Sequence, residues 1–288
     1  MLKANYFLKH PLATALLCLL TSTNQAETPD NPEDVDKSKW FHQTVLPNGD
    51  SWYNNEQQHY TDRPINASTY GGYLEITAQK EEFTDQGVTK QFTSARLNSK
   101  FAFTYGRVEV RAQVPEGHGT WPAIWMLPKD IKEMGAYFNL QGYGEVSWPD
   151  SGEIDILEHW GRNQNYAQSA IHTRSSFGNT INLGGQPVPT MSSKFHTYSL
   201  DWDEEKLTFS VDGKEHYTYN PPVKNSETWP FDRDYYLLLN FAIEKDIDPS
   251  FKRGTFFVDY VRVYDQSGKL AWSDELTHPS WQSIYLFR

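Results

Sequence analysis

Glu153, Asp155 and Glu158 put three carboxylates into six residues of the stretch Ser151-Gly152-Glu153-Ile154-Asp155-Ile156-Leu157-Glu158-His159. Side chains alternate faces along an extended strand, so Glu153 and Asp155 share one face and Ile154 and Ile156 share the other. Strict alternation would drop Glu158 onto the apolar face, where an unpaired carboxylate is costly. One extra residue, a β-bulge near Ile156-Leu157, resets the register and returns Glu158 to the face of the other two acids. Carboxylates held this close cannot all ionise comfortably, so one should keep a proton near neutral pH. A proton donor beside an ionised partner is the equipment for breaking a glycosidic bond. Glu153 would be the nucleophile, Glu158 the general acid and then the general base, and Asp155 the group between them that sets protonation. Taken alone, the acids also fit a solvated edge strand or a calcium site built from oxygen ligands.

The run Glu-Ile-Asp-Ile-Leu-Glu, with two residues before its last Glu, resembles the bulged active-site strand of glycoside hydrolase family 16, and its laminarinase branch in particular. The lichenase branch usually has one residue fewer there. The resemblance runs from about Ser38 to Tyr264. It implies that Asn55, in Asn54-Asn55-Glu56, bonds a sugar hydroxyl along the cleft. It also implies that Arg96 reaches the sugar subsites and that His172 lies near the acid/base. Each has a plainer alternative: a loop amide satisfying its own backbone, a structural ion pair, and a hydrogen-bonded core histidine.

Gly119-Thr120-Trp121-Pro122-Ala123-Ile124-Trp125 matches the same pattern. Pyranose C–H faces stack on indole, so Trp121 and Trp125 are read as subsite walls. Trp148, just ahead of the acid strand, is a third stacking candidate. Core packing is the competing explanation for each. No His-Glu-x-x-His or Cys cluster occurs, which argues against catalytic zinc, and no metal ligand is assigned.

Two stretches depart from the family pattern. The glycine-rich segment expected after Asn240-Phe241-Ala242-Ile243 is replaced by Glu244-Lys245-Asp246-Ile247-Asp248. The family's opening Trp-Ser-Asp-Glu strand is missing from the start of the chain and recurs as Leu270-Ala271-Trp272-Ser273-Asp274-Glu275-Leu276. Chain ends often lie close together, so this tail is expected to take the first-strand place beside Val258 to Val263. No cofactor is required by the proposed chemistry. The family often binds a structural calcium, with an Asp at the place of Asp259, but that site also uses the opening strand.

The acids must be held by strands. Tyr105 to Val114 alternates most cleanly: Val108, Val110, Ala112 and Val114 against Arg107, Glu109, Arg111 and Gln113. Gly72 to Gln79, Phe92 to Leu97, Ala167 to Thr173, Phe195 to Trp202, Lys206 to Asp212, Glu215 to Tyr219, Tyr235 to Ile243 and Thr255 to Tyr264 also read as strands. Asp212-Gly213 is a hairpin turn. Lys129 to Val146 reads as a loop over one end of the cleft. Many short strands and no long helical period give an all-β fold: a curved antiparallel β-sandwich, the jelly roll that the resemblance implies, with an open concave substrate cleft.

Residues 1–26 carry Lys3, Lys9 and an apolar run from Leu12 to Leu20, and read as a signal peptide for secretion. Residues 27–38 read as an acidic disordered leader, and 39–288 as one catalytic domain. Cys18, the only cysteine, falls in the leading segment, so the mature chain would have no disulfide. Removing Lys3 and Lys9 leaves 24 basic against 37 acidic residues, a net charge of −13. That argues against nucleic acid, anionic membranes and sulfated polymers as partners, and favours a neutral β-glucan. A monomer without membrane insertion is expected. The enzyme reading is a retaining endo-β-1,3-glucanase. Mixed-linkage glucanase, transglycosylase, a non-catalytic glucan-binding protein and a calcium-dependent structural domain are its rivals.

Overall fold

Period-two patterning builds almost all of the molecule. The computed structural model describes residues 32–275; the expected signal peptide lies outside them. In chain order the first strands are β1 (Glu33–Asp34), β2 (Trp40–His42), β3 (Gln58–Tyr60), β4 (Ala67–Tyr70), β5 (Tyr73–Asp85) and β6 (Val88–Ser94). Then come β7 (Arg96–Phe103), β8 (Gly106–Gln113), β9 (Thr120–Pro128), β10 (Glu153–Glu158), β11 (Tyr166–His172) and β12 (Leu183–Pro187). The last are β13 (His196–Trp202), β14 (Leu207–Val211), β15 (Lys214–Tyr219), β16 (Tyr235–Ile243), β17 (Arg253–Tyr264) and β18 (Leu270–Glu275). One short helix, α1 (Tyr137–Leu140), and two 3-10 turns are the helical content among the described residues. None is long and apolar enough to cross a membrane.

The strands form two stacked sheets. One has seven strands in the order β12-β11-β10-β9-β16-β7-β2. The other runs β1-β4-β5-β17-β8-β13-β14-β15, with β18 also on β17, β6 on β5 and β3 on β6. All pairings among the described strands are antiparallel except β3 with β6. The core between the sheets takes Val108, Val110 and Ala112 from β8, Leu237, Leu239 and Phe241 from β16, and Ile154, Ile156 and Leu157 from β10. The charged face of β8 pairs across strands as its pattern suggested, Arg107 with Asp201 of β13 and Arg111 with Asp259 of β17, and Arg107 also meets Glu109 two residues along its own strand. Asp212 and Gly213 have φ of 51° and 75°, the left-handed turn that joins β14 to β15.

Two expectations need correction. The acidic leader does not extend through residue 38. Glu33–Asp34 pairs with β4, and Val35 is buried in the core, so the acidic side chains face water while the backbone completes a sheet edge. Phe92 to Leu97 is not one strand. The chain leaves one sheet at Ser94 and enters the other at Arg96, because Ala95 is the buried corner between them. Asp259, the residue at the family's calcium position, pairs with the Arg111 guanidinium. The tail behaves as expected: β18 lies along β17, with Val261 opposite Asp274 and Val263 opposite Trp272. Trp272 stacks on Phe101 at 5.7 Å, and Asp274 accepts from Trp40 Nε1 at 2.7 Å and Lys39 Nζ at 2.9 Å.

The 129–146 excursion is stapled onto the seven-stranded sheet rather than swinging free. Phe138 and Ile131 pack on Leu127, Tyr236 and Leu238 in a second small core. This covers one end of the sheet face opposite the main core and leaves the rest open as the cleft.

Candidate active site

The register of β10 brings the acids together. Against β11, Glu153 faces His172 and Asp155 faces Ala170, but Glu158 faces Gln168, so two residues fill the space of one. Against β9 the shift falls between Asp155 and Leu157. Ile154, Ile156 and Leu157 all go into the core, and Glu153, Asp155 and Glu158 all line the same cleft. The bulge turns Glu158 outward without exposing an isoleucine. Gly152, at φ 76°, feeds the strand where a Cβ would collide with the Tyr235 hydroxyl and Pro230.

The cleft encloses about 1170 Å³. Burial raises all three acids, and repulsion from Asp155 adds to the rise of Glu153 and Glu158. Glu158 is pushed up to about 8, chiefly by burial and then by Asp155, with His172, the Trp121 indole N–H and Gln168 acting against the rise. Burial lifts Asp155 to about 8 as well. Glu153 is raised well above the usual carboxylate range by burial and then by Asp155. The Glu153–Asp155 pair therefore holds a proton at neutral pH. Asp155 is the more deeply buried of the two, 5% exposed against 18%, which favours the proton on Asp155 and the charge on the more open Glu153. His172 Nδ1 accepts the Gly178 N–H at 3.1 Å, which assigns its ring proton to Nε2. Nε2 lies 3.3 Å from Asp155 Oδ2 and 3.7 Å from Glu153 Oε1. These three residues bring ligand atoms within 4.8 Å of one another, a set that a divalent cation could also occupy.

Aromatic walls flank the acids. Trp121 stacks on Trp160 at 4.1 Å and 23°. Trp125 is fixed from behind: its Nε1 donates to Asn240 Oδ1 at 2.8 Å, and Arg96 sits 4.6 Å over its ring. Asn240 Nδ2 in turn donates to Tyr60 OH at 2.9 Å, and Tyr60 OH donates to buried Glu56 at 2.8 Å. Trp148 is exposed and packs edge-on to Phe177 at 5.3 Å.

The family model of glycosyl hydrolases family 16 matches residues 51–262. The chain belongs to glycosyl hydrolase family 16. A β-glucanase from Rhodothermus marinus is 37% identical over 245 residues, covering 80% of each chain. A crystal structure from Z. galactanivorans, in complex with laminaritriose and laminaritetraose, is 42% identical, covers 82% of this chain and 96% of that one, and superposes with a TM-score of 0.74. The laminarinase structure from Rhodothermus marinus is 37% identical over 82% of this chain and 94% of that one, with a TM-score of 0.70.

Within this family-16 cleft, every residue singled out from the sequence lines the cavity: Asn55, Arg96, Trp121, Trp125, Trp148, Glu153, Asp155, Glu158 and His172. His172, expected near the acid/base, lies opposite Glu153 in the β10–β11 register and faces Glu153 and Asp155. Arg96 is only 2% exposed and is tied to Glu133 and to Gln43 Oε1, so it braces Trp125 from beneath. Asn55 is exposed at the end of a 3-10 turn, with φ 57°. Sequence reasoning missed Trp160, Glu133, Asn240 and Glu56. Asn240 had left a signal: it is a polar side chain in a strand whose nine residues are all buried. Glu133 left none, since its partner lies 37 residues earlier.

Proposed function

We propose that this family-16 protein is a retaining endo-β-1,3-glucanase acting on laminarin-type glucan. The observation that carries the reading is three acids turned by one bulge into a single open cleft, with burial setting their protonation. Glu158, protonated up to about pH 8, gives its proton to the glycosidic oxygen as the bond to the leaving chain breaks. Glu153 attacks the anomeric carbon and forms a glycosyl-enzyme ester. Glu158, now a carboxylate, takes a proton from water, and the resulting hydroxide attacks the same carbon and releases Glu153. Asp155 holds the proton that would otherwise neutralise the nucleophile. Trp121, Trp125 and Trp148 offer stacking faces for successive glucose rings, and Asn55 a hydrogen bond at the cleft edge. An open cleft suits attack within a polymer. The similarity to laminarinases at 37–42% identity over most of the chain supports the linkage assignment. The apolar segment within residues 1–26 supports export.

The test is to incubate purified protein with laminarin, lichenan, agarose and carrageenan, measuring reducing ends and following product anomers by NMR. Laminarin cleavage with retained β-configuration at first release is expected. No release from laminarin, or inverted products, would overturn the reading, and faster release from lichenan would make it a mixed-linkage enzyme. Amino-terminal sequencing of protein recovered outside the cell tests export, with cleavage expected near Ala26.

A further inference from the structure

The lip of the cleft beside Glu158 carries a charged pair to which the mechanism above gives no role. Arg162 lies in the 3-10 turn Gly161–Asn163 that follows β10. Its guanidinium carbon sits 4.1 Å over the ring of Trp160, which itself stacks on Trp121. Its Nη1 donates to Glu244 Oε1. Glu244 opens the segment Glu244-Lys245-Asp246-Ile247-Asp248 that follows β16, where a glycine-rich stretch was expected.

The segment is docked. Glu244 N–H donates to Gly119 O at 2.9 Å, and Asp248 N–H donates to His118 O at 3.1 Å. His118 Nε2 meets Asp246 Oδ2 at 3.0 Å. A Cβ at Gly119 would collide with the backbone of Ile247, so the two segments touch without a spacer. The lip is thereby fixed against the first residues of β9, which carry Trp121.

Arg162 and Glu244 both line the cleft, but unequally: the arginine side chain is 46% exposed and the glutamate 14%. Glu244 Oε2 is sealed from water and has no hydrogen-bond partner. The glutamate therefore depends on Arg162 for compensation of its charge, whereas Arg162 spends one of its five donors on the glutamate and stays open to the cleft. A guanidinium stacked on a ring and clamped by a carboxylate has already lost the rotamer freedom that ligand binding would otherwise cost.

We propose that Arg162 is a sugar-binding residue of this cleft, donating hydrogen bonds to the hydroxyls of a neutral hexose unit at the Trp121–Trp160 wall, with Glu244 as the residue that positions it. Glu244 neutralises the guanidinium and Asp246 accompanies Lys245, so the lip carries no net positive field that would select a sulfated or carboxylated sugar. This rests on the glucanase reading and adds to that wall a hydrogen-bond donor that its acids and three expected tryptophans do not supply.

The test uses kinetics on laminarin together with calorimetric titration of laminarihexaose into the Glu153→Gln protein, each with and without Arg162→Ala, Arg162→Lys and Glu244→Gln. Arg162→Ala is expected to raise KM and Kd about tenfold, the worth of one charged hydrogen bond, with kcat within about twofold. Arg162→Lys should recover part of the loss, and Glu244→Gln should fall between it and Arg162→Ala. Arg162→Lys keeps the charge over Trp160 and serves as the folding-safe variant if Arg162→Ala does not fold. Cleavage of laminarin by wild type with KM and Kd unchanged in the arginine variants overturns this inference alone. Wild type that neither binds nor cleaves laminarin overturns the glucanase reading and this inference with it.

Discussion

Replacing Glu158 by Gln tests the site through stability as well as activity. Burial lifts Glu158 from the usual 4.5 to about 8. The native state therefore binds this proton more tightly than the unfolded chain. Below pH 4.5 both states are protonated and there is no penalty. As pH rises through the interval up to about 8, the unfolded chain ionises first and native stability falls; above about 8 the loss is complete. At ~1.36 kcal/mol per pH unit, the full interval corresponds to ~5 kcal/mol for a dry group. Glu158 lines an open cleft, and solvent screening there reduces this to ~2 kcal/mol. For a domain of this size that is roughly 4–8 °C in Tm. Glu158→Gln cannot ionise, so it should melt with wild type at pH 5 and roughly 4–8 °C above it at pH 9, as read by differential scanning calorimetry. On laminarin the variant should show no turnover, while wild-type kcat/KM should fall as pH rises through about 8 and the acid is lost. A Tm difference that is the same at both pH values, or a wild type more stable than the variant at pH 9, would refute the burial argument.

Glu153→Gln should lower kcat by about a thousandfold or more while leaving the Kd for laminarihexaose, read by calorimetry, within a few-fold; near-normal hydrolysis would remove Glu153 from the nucleophile role. Glu133→Ala strands the buried Arg96 charge and should cost about 3–5 kcal/mol in urea unfolding, most of it recovered in the apolar pair Arg96→Met/Glu133→Leu. Asp274→Ala leaves the buried Trp40 N–H without its acceptor and should cost about 1–3 kcal/mol, a loss that would be absent if the tail merely lay on the surface.

The acids, their shared face and the bulge were legible in the sequence because strand alternation is a local rule. Ile154, Ile156 and Leu157 can all be buried only if the register slips, and the slip carries Glu158 to its neighbours. The β8 strand, the Asp212-Gly213 hairpin and the place of Trp272 were readable for the same reason: each is dictated by pattern over fewer than a dozen residues or by a recognisable segment. The corner at Ala95 was not, because both halves of Phe92 to Leu97 look equally extended and only packing decides which sheet each half joins.

Nor could the sequence assign partners across distance. Arg96 reads the same whether it meets a sugar or Glu133, and His172 the same whether it serves Glu158 or Asp155. The sequence determined which groups could do the chemistry and that they would share one face, since covalent spacing and backbone geometry suffice for that. The tertiary structure decided which of them stand free in the cleft and which are spent on one another, because pairing, burial and protonation depend on residues that only folding brings within a few ångströms.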